Sequence, residues 1–331
     1  MKTTTYKVAE QLDKATLVDF YRQMALLRVF EERAAEQYML GKIRGFLHLY
    51  IGQEAVAVGA IHALGRDDYV TTHYRDHGHA LARGLSVNAV MAELFGKATG
   101  CSKGMGGSMH LFDASLNFAG GYAIVAGHLP LSTGMGFAFN YLNDNRLVAT
   151  FFGDGALNEG EAHEVLNMSA LWNLPVVFIC ENNLYGMGIP LSQSMSNTQL
   201  HKMAESYGIA SAQVDGMDVL AVREAAETAV QHVRSGNGPY FLEARTYRFR
   251  GHSMADPVLY RSKDEEAEYR KLDPIAQYGE WLLSSKMATQ KKLDAISAEV
   301  EKQVEESIAF AEESPFPSPE DLYRNVYAQL P

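Results

Sequence analysis

Between Phe46 and Arg250 short apolar runs alternate with helical stretches, and this alternation constrains the fold more than any other feature of the sequence. Asp68–Thr72, Arg146–Phe152, Pro175–Cys180 and Tyr240–Thr246 are rich in β-branched or aromatic residues and are bounded by Gly, Pro, Asn or Asp. Strands that alternate with helices form βαβ units, so the expected class is α/β: a mostly parallel sheet with helices on both faces. In such a sheet ligands gather at the carboxyl ends of the strands. Two polar breaks fall at such ends, Gly153-Asp154-Gly155 after one strand and Asn182-Asn183 after the next, about one βαβ unit apart.

Flanking segments read as helical. Leu17, Phe20, Tyr21, Met24, Leu27, Ala34, Ala35 and Tyr38 recur at helical spacing and predict a helix over 16–40, interrupted once by the charge of Glu31. Thr16 with Asp19 is its expected capping box and Gly41 its stop. A second helix is expected to start at Asp273 with Pro274 in its first position. Leu293, Ile296, Val300, Val304 and Ile308 then form one stripe on a charged helix, to be covered by the chain itself or by another subunit. Pro315, Pro317 and Pro319 break that helix and mark a surface tail. The expected organisation is a helical arm over 1–45, an α/β domain over 46–265 and a helical extension over 266–331.

With 29 Lys+Arg against 40 Asp+Glu the formal charge is −11. So acidic a chain has no general attraction for nucleic acid or an anionic membrane, and an anion must be held locally. Two cysteines provide no disulfide framework and argue for a reducing cytosol; the small Cys180 thiol is expected in the core. The first sixteen residues hold no signal-like apolar stretch and nowhere do 18 apolar residues run together, so a soluble, cytoplasmic chain is expected.

Asp154, the Asn183 amide and a neighbouring main-chain carbonyl are hard oxygen donors, suited to Mg²⁺ or Ca²⁺ when an anionic ligand completes the shell. Gly153 and Gly155 let the backbone turn sharply and approach that anion. Gly104, Gly106 and Gly107 look like a phosphate cradle, but neither GxGxxG nor GxxxxGK[ST] occurs, so a tight turn beside a cofactor is expected rather than a dinucleotide site. His73, His77 and His79 look like a metal cluster by composition; zinc is not expected there, without a nearby Cys or a carboxylate at helical spacing.

GDG followed after about 26 residues by NN resembles the diphosphate-binding motif of thiamine diphosphate enzymes. RGFLHLYIGQEAVAVG, YRDHGHALARG, SKGMGGSMHLFD, GGYAIVAGHLPLSTG and YRFRGHSMADP extend the likeness over roughly residues 16 to 280. Together they resemble the α subunit of the E1 component of 2-oxo acid dehydrogenase complexes.

The resemblance implies a set of roles. Asp154 and Asn183 would bind Mg²⁺ through side chains, and Tyr185 through its carbonyl. Gly155 and Ala156 would offer N–H groups to the diphosphate at a helix start, and Tyr74 and Arg75 would bind the same diphosphate. Ala123, which replaces a glycine of some relatives, and Val125 would make main-chain contacts to the aminopyrimidine, with strand core the plainer reading of Ile124 and Val125. His252 would orient the cofactor adduct and handle a proton. His48 and His128 would line the substrate end, whereas His110 is expected to make a structural hydrogen bond to the Gly-rich turn. Ser253 stands where mitochondrial relatives are phosphorylated and Leu259 replaces the second such serine, which gives no support for regulation there.

The chain is too short for both half-sites of a thiamine enzyme. The resemblance therefore implies a β subunit that supplies the activating glutamate, an α2β2 heterotetramer, and a lipoyl-bearing E2 acyltransferase as acyl acceptor. The N-terminal helix and the C-terminal stripe are the candidate subunit contacts. HLYIGQEA and HYRDHGH favour pyruvate as the small 2-oxo acid substrate, ahead of acetoin and of branched-chain acids; one or two methylenes in a pocket are worth only about 1–3 kcal/mol. A cofactor-free assembly subunit and a dinucleotide oxidoreductase are the competing classes. Intact Asp154, Asn183, Arg75 and His252 speak against the first, and the missing fingerprint against the second.

Overall fold

A computed structural model describes residues 7–324 and 326; residues 1–6 of the expected N-terminal arm, and residue 325 and residues 327–331 of the expected extension, lie outside the described residues. Six parallel strands form the central sheet: β1 Tyr69–His73, β2 Phe118–Tyr122, β3 Val148–Gly153, β4 Val176–Asn182, β7 Ala210–Asp215 and β8 Tyr240–Arg245, in the order β2-β1-β3-β4-β8-β7. A two-residue antiparallel ladder, β5 Tyr185–Gly186 with β6 Ile189–Pro190, follows β4. The α/β class is as expected. Strands β2 and β7 were not anticipated: FAGGY has too little apolar bulk to read as a strand, and β7 is a half-exposed edge.

The central strands β3 and β4 are near-continuously apolar because helices cover both faces. The helix Glu54–Ile61, buried at every position, packs against the amphipathic helix Val219–Arg234. On the other side Ala162, Val165 and Leu166 form a second core with Phe152, Phe178 and Cys180. Cys180 is fully buried, as expected.

The long N-terminal helix runs Lys14–Met39, and its cap is Asp13, whose carboxylate accepts the N–H of Thr16 at 2.7 Å. The expected Thr16–Asp19 box is therefore corrected, since Asp13 holds the N-cap position and reaches the third helical amide, and Asp19 turns to Arg22 and Gln23. Gly41, at φ +74°, ends the helix as predicted. Glu31, the charge interrupting its apolar face, is buried.

Asp273 caps the helix Pro274–Ser284. The stripe from Leu293 to Ile308 lies on the helix Gln290–Glu313 and is buried against the helices Val87–Leu94 and Lys14–Met39 of the same chain. Burying each such side chain contributes about 1.5–3 kcal/mol, so this chain itself covers the stripe. The tail is tied down as far as Phe316: the Ala98 N–H donates to Pro315 O, and the Lys97 ammonium sits over the Phe316 ring. Among the described residues no helix is long and apolar enough to cross a membrane.

Candidate active site

Adjacent strands β3 and β4 end side by side, with Gly153 paired to Glu181 in their register. A cavity of about 250 Å³ opens beyond these ends. Its walls include Tyr74, Arg75, Val125, His128, Asp154, Gly155, Ala156, Asn183, Tyr185 and His252, all singled out in the sequence. Ala123 is outside this lining. His48 stands behind it, its ring 4.7 Å from that of Tyr74 and 5.2 Å from that of His252. Ile124 and Val125 are 73% and 42% exposed, which corrects their reading as strand core: β2 ends at Tyr122 and the chain leaves the sheet there.

Asp154 is buried, and its Oδ2 has no hydrogen-bond partner among the described residues. Burial pushes its carboxyl up to about 6, against help from its own backbone, from Arg248 and from the backbone of Asn183. A buried carboxylate in that condition is costly unless a cation meets it. Asn183 donates through Nδ2 to Gln53 Oε1 at 2.9 Å, which leaves Oδ1 as the free end of its amide, with only the Tyr185 N–H at 3.4 Å. Asn182 is structural: it bonds Glu243 and the Leu184 N–H. Gly155 and Ala156 lie in a 3-10 turn, Asp154–Asn158, and the α-helix begins only at Gly160; this corrects their expected place at a helix start. A side chain at Gly153 would meet open space, and one at Gly155 only Gly186.

Two guanidinium groups flank these oxygens. Arg75, buried, donates to Leu49 O and His252 O, each at 2.8 Å. Arg248, which the sequence reading missed, is buried in the wall and bonds Met187 O, Arg250 O and the Tyr260 hydroxyl. Neither has a carboxylate partner among the described residues. Burial first, then Arg248, brings Arg75 down to about 10. The only sequence signal for Arg248 is its place four residues before His252.

The histidines differ in what holds them. His252 donates its backbone N–H to Asp256 Oδ2 at 2.6 Å, while burial and then Arg75 bring its ring down to about 3. His128 Nε2 faces Phe151 O at 2.8 Å and must donate, which leaves Nδ1 an acceptor with no partner among the described residues. Burial brings His128 to about 3 and His48 to about 2, so all three rings are neutral near pH 7. The His110 ring bonds Gly121 O, and only the main-chain carbonyl of His110 meets the Gly-rich turn, accepting from the Ser102 hydroxyl. That turn wraps the buried carboxylate of Glu93, which accepts the N–H groups of Ser102, Gly104, Gly106 and Gly107 at 2.7–3.1 Å. Its glycines are not in the cavity wall.

His73, His77 and His79 meet carboxylates from distant elements. His77 lies between Glu31 and Ser108, and His73 and His79 share Glu181. Among the described residues no group of three or more His, Cys, Asp or Glu is arranged to hold a metal ion. A cation at Asp154 would draw instead on one carboxylate, an amide oxygen and a carbonyl, completed by ligand oxygens.

The model of the dehydrogenase E1 component family matches residues 22–320. The chain belongs to this family. It is 50% identical to a pyruvate dehydrogenase E1 component subunit alpha of Rhizobium meliloti over 307 residues, covering 92% of this chain and 88% of that one. A protein of the same description from Porphyra purpurea is 46% identical over 324 residues, 96% of this chain and 94% of that one. Its counterpart in Zymomonas mobilis is 47% identical over 317 residues, 95% and 89%. The family match runs from within the long N-terminal helix through the sheet and the cavity lining to the C-terminal helices.

Proposed function

We propose that this chain is the α subunit of a thiamine diphosphate-dependent pyruvate dehydrogenase E1, acting in the cytoplasm. In this reading it binds the cofactor's diphosphate through Mg²⁺ and needs a β subunit for activity. One observation carries the reading: among the described residues, Asp154 presents an unpartnered buried oxygen to a cavity shared with Asn183 and with two buried arginines that have no carboxylate partner. That set fits a divalent cation bridging to an anion and little else.

Asp154 and Asn183 would hold Mg²⁺ through side-chain oxygens and Tyr185 through its carbonyl. Gly155 and Ala156 would offer backbone N–H groups, Tyr74 its hydroxyl, and Arg75 and Arg248 their charge, to the diphosphate. When bound, thiamine diphosphate supplies the nucleophilic carbon for the 2-carbonyl and the electron sink for carbon dioxide loss. The chain's own part is to place and dry the site. Burial first, and then the charges of Arg75 and Arg248, hold His252 in its neutral form; an anion between the two arginines would relieve the second part and move the ring toward the range for proton handling. His128, with its bare Nδ1, is a fixed acceptor in the wall; His48 backs His252 and Tyr74.

Support for a β partner comes from the surface. Ile124 and Val125, the latter on the cavity wall, are exposed, as are Leu131, Phe137, Tyr141, Leu171 and Trp172, with the Phe137 and Trp172 rings 5.5 Å apart. Exposed apolar side chains of this kind favour an interface. The apolar face of the long N-terminal helix and the C-terminal stripe, both covered within the chain, offer much less. In this reading the acyl acceptor is a lipoyl-bearing E2 acyltransferase.

Calorimetric titration of the αβ complex with thiamine diphosphate and Mg²⁺ tests the cofactor, and absence of saturable binding would overturn the reading. Steady-state turnover with pyruvate, acetoin and 3-methyl-2-oxobutanoate, using an artificial electron acceptor, tests the substrate; pyruvate is expected to give the highest kcat/KM.

A further inference from the structure

The turn that carries Tyr74 and Arg75 into the cavity is held by an imidazole that the function proposed above leaves without a role. His73, the last residue of β1, is buried and lines the cavity. Its Nδ1 faces the backbone N–H of Arg75 at 3.0 Å and must accept from it. Its Nε2 is therefore the protonated nitrogen of the neutral ring, and it donates to Glu181 Oε2 at 2.7 Å. Burial, which lowers the pKa of His73 despite Glu181, favours that neutral ring.

Glu181 has no freedom to turn away. Its other oxygen bonds the Tyr50 hydroxyl and lies 3.0 Å from His79 Nε2, in a site closed to solvent. The Arg75 guanidinium is held at its far end by Leu49 O and His252 O. The residue is thus fixed twice: its fork by two carbonyls and its backbone by one ring nitrogen. A buried N–H deprived of its acceptor is costly enough for the turn to reorganise, and the fork would move with it.

We propose that His73, locked by Glu181 as the Nε2–H tautomer, is the positioning residue that sets Arg75 for its anionic ligand. The proposal rests on the reading of Arg75 as a diphosphate-binding group. Two amide substitutions separate the two nitrogens of the ring. In His73→Asn the side-chain oxygen takes the place of Nδ1 and can still accept from Arg75. In His73→Gln an amide reaches toward Glu181, but the acceptor for Arg75 is gone.

The experiment uses the αβ complex. Affinity for thiamine diphosphate at saturating Mg²⁺ is measured by calorimetry, and protection of the Arg75 amide by hydrogen exchange. His73→Asn is expected to stay within about threefold of the wild-type affinity with Arg75 protected, whereas His73→Gln binds about tenfold more weakly with that protection lost. A merely structural histidine would suffer equally from both changes; equal losses, or a His73→Asn complex as weak as His73→Gln, would overturn the proposal. Should His73→Gln fail to assemble, His73→Asn decides alone by the same two measurements. A wild-type complex that binds no thiamine diphosphate sinks the cofactor reading, and with it the anion. Exchange at Arg75 still reports whether His73 holds the turn.

Discussion

Gly153 pairs with Glu181 across β3 and β4, so the next residue on one strand is Asp154 and the next on the other is Asn182. That register, rather than either dipeptide, brings the Asp154 carboxylate and the Asn183 amide to one cavity. It also leaves Asp154 with an unpaired oxygen. Replacing a buried unpaired carboxylate by its amide removes a desolvation cost, so Asp154→Asn is expected to stabilise the ligand-free chain by about 1–3 kcal/mol while abolishing Mg²⁺-dependent cofactor binding. Thermal unfolding and calorimetry on the same sample check both halves; a less stable variant that still binds contradicts the assignment.

Acid should act on the same carboxyl. Its folded pKa, about 6, lies above the ordinary value of 3.8, so the folded state binds the proton more tightly than the unfolded one. This group therefore adds stability to the ligand-free chain as pH falls from 7 through 6 toward 4, and that contribution is lost as pH rises again. Cation binding needs the charged form and runs the other way. Affinity for the Mg²⁺–thiamine diphosphate pair is expected to drop about tenfold for each pH unit below 6 from this group. Titrations between pH 5 and 8 would show it, and a flat profile would remove Asp154 from the metal site.

Arg248 contributes fork geometry as well as charge. It bonds two carbonyls and a tyrosine hydroxyl, which a lysine cannot reproduce. Arg248→Lys is expected to weaken cofactor binding about tenfold and Arg248→Met about a hundredfold, with Asp154 shifting further upward in the latter because a stabilising charge is gone. Binding isotherms for the pair check the order.

Leu171 is 72% exposed at the end of the Gly160–Leu171 helix, beside Trp172. Surface substitutions of this kind change a chain's own stability by about 0.5 kcal/mol or less. Leu171→Glu is accordingly expected to leave the isolated α chain folded and to abolish its association with β in sedimentation velocity. Normal assembly would place the interface elsewhere.

Local chemistry was legible in the sequence where it lies within a few residues. The strands β1, β3, β4 and β8, the Asp273 cap and the Gly41 stop all declare themselves by composition or spacing. Asp154, Asn183, Arg75 and His252 could be named from motifs, and the fold brings them to one cavity. What escaped notice depends on residues far apart in the chain. Glu181 meets His73 and His79 across 108 and 102 positions, and Glu31 meets His77 across 46, so no local pattern announces them. Arg248 was hidden because a single arginine in an arginine-rich stretch gives no sign of being buried. Asp13 was missed as a cap because Thr16, three residues on, has the same preference for that position.

The turn of Gly104, Gly106 and Gly107 has the concave row of amides by which proteins seize free anions from solution. Here the guest is Glu93, carried on the same polypeptide and bound at all times. Competition from any phosphate metabolite is thereby shut out for the life of the fold. A glycine-rich stretch in a relative of this chain thus advertises that negative charge is captured, and only the identity of the residue at position 93 tells whether the captive is internal or visiting.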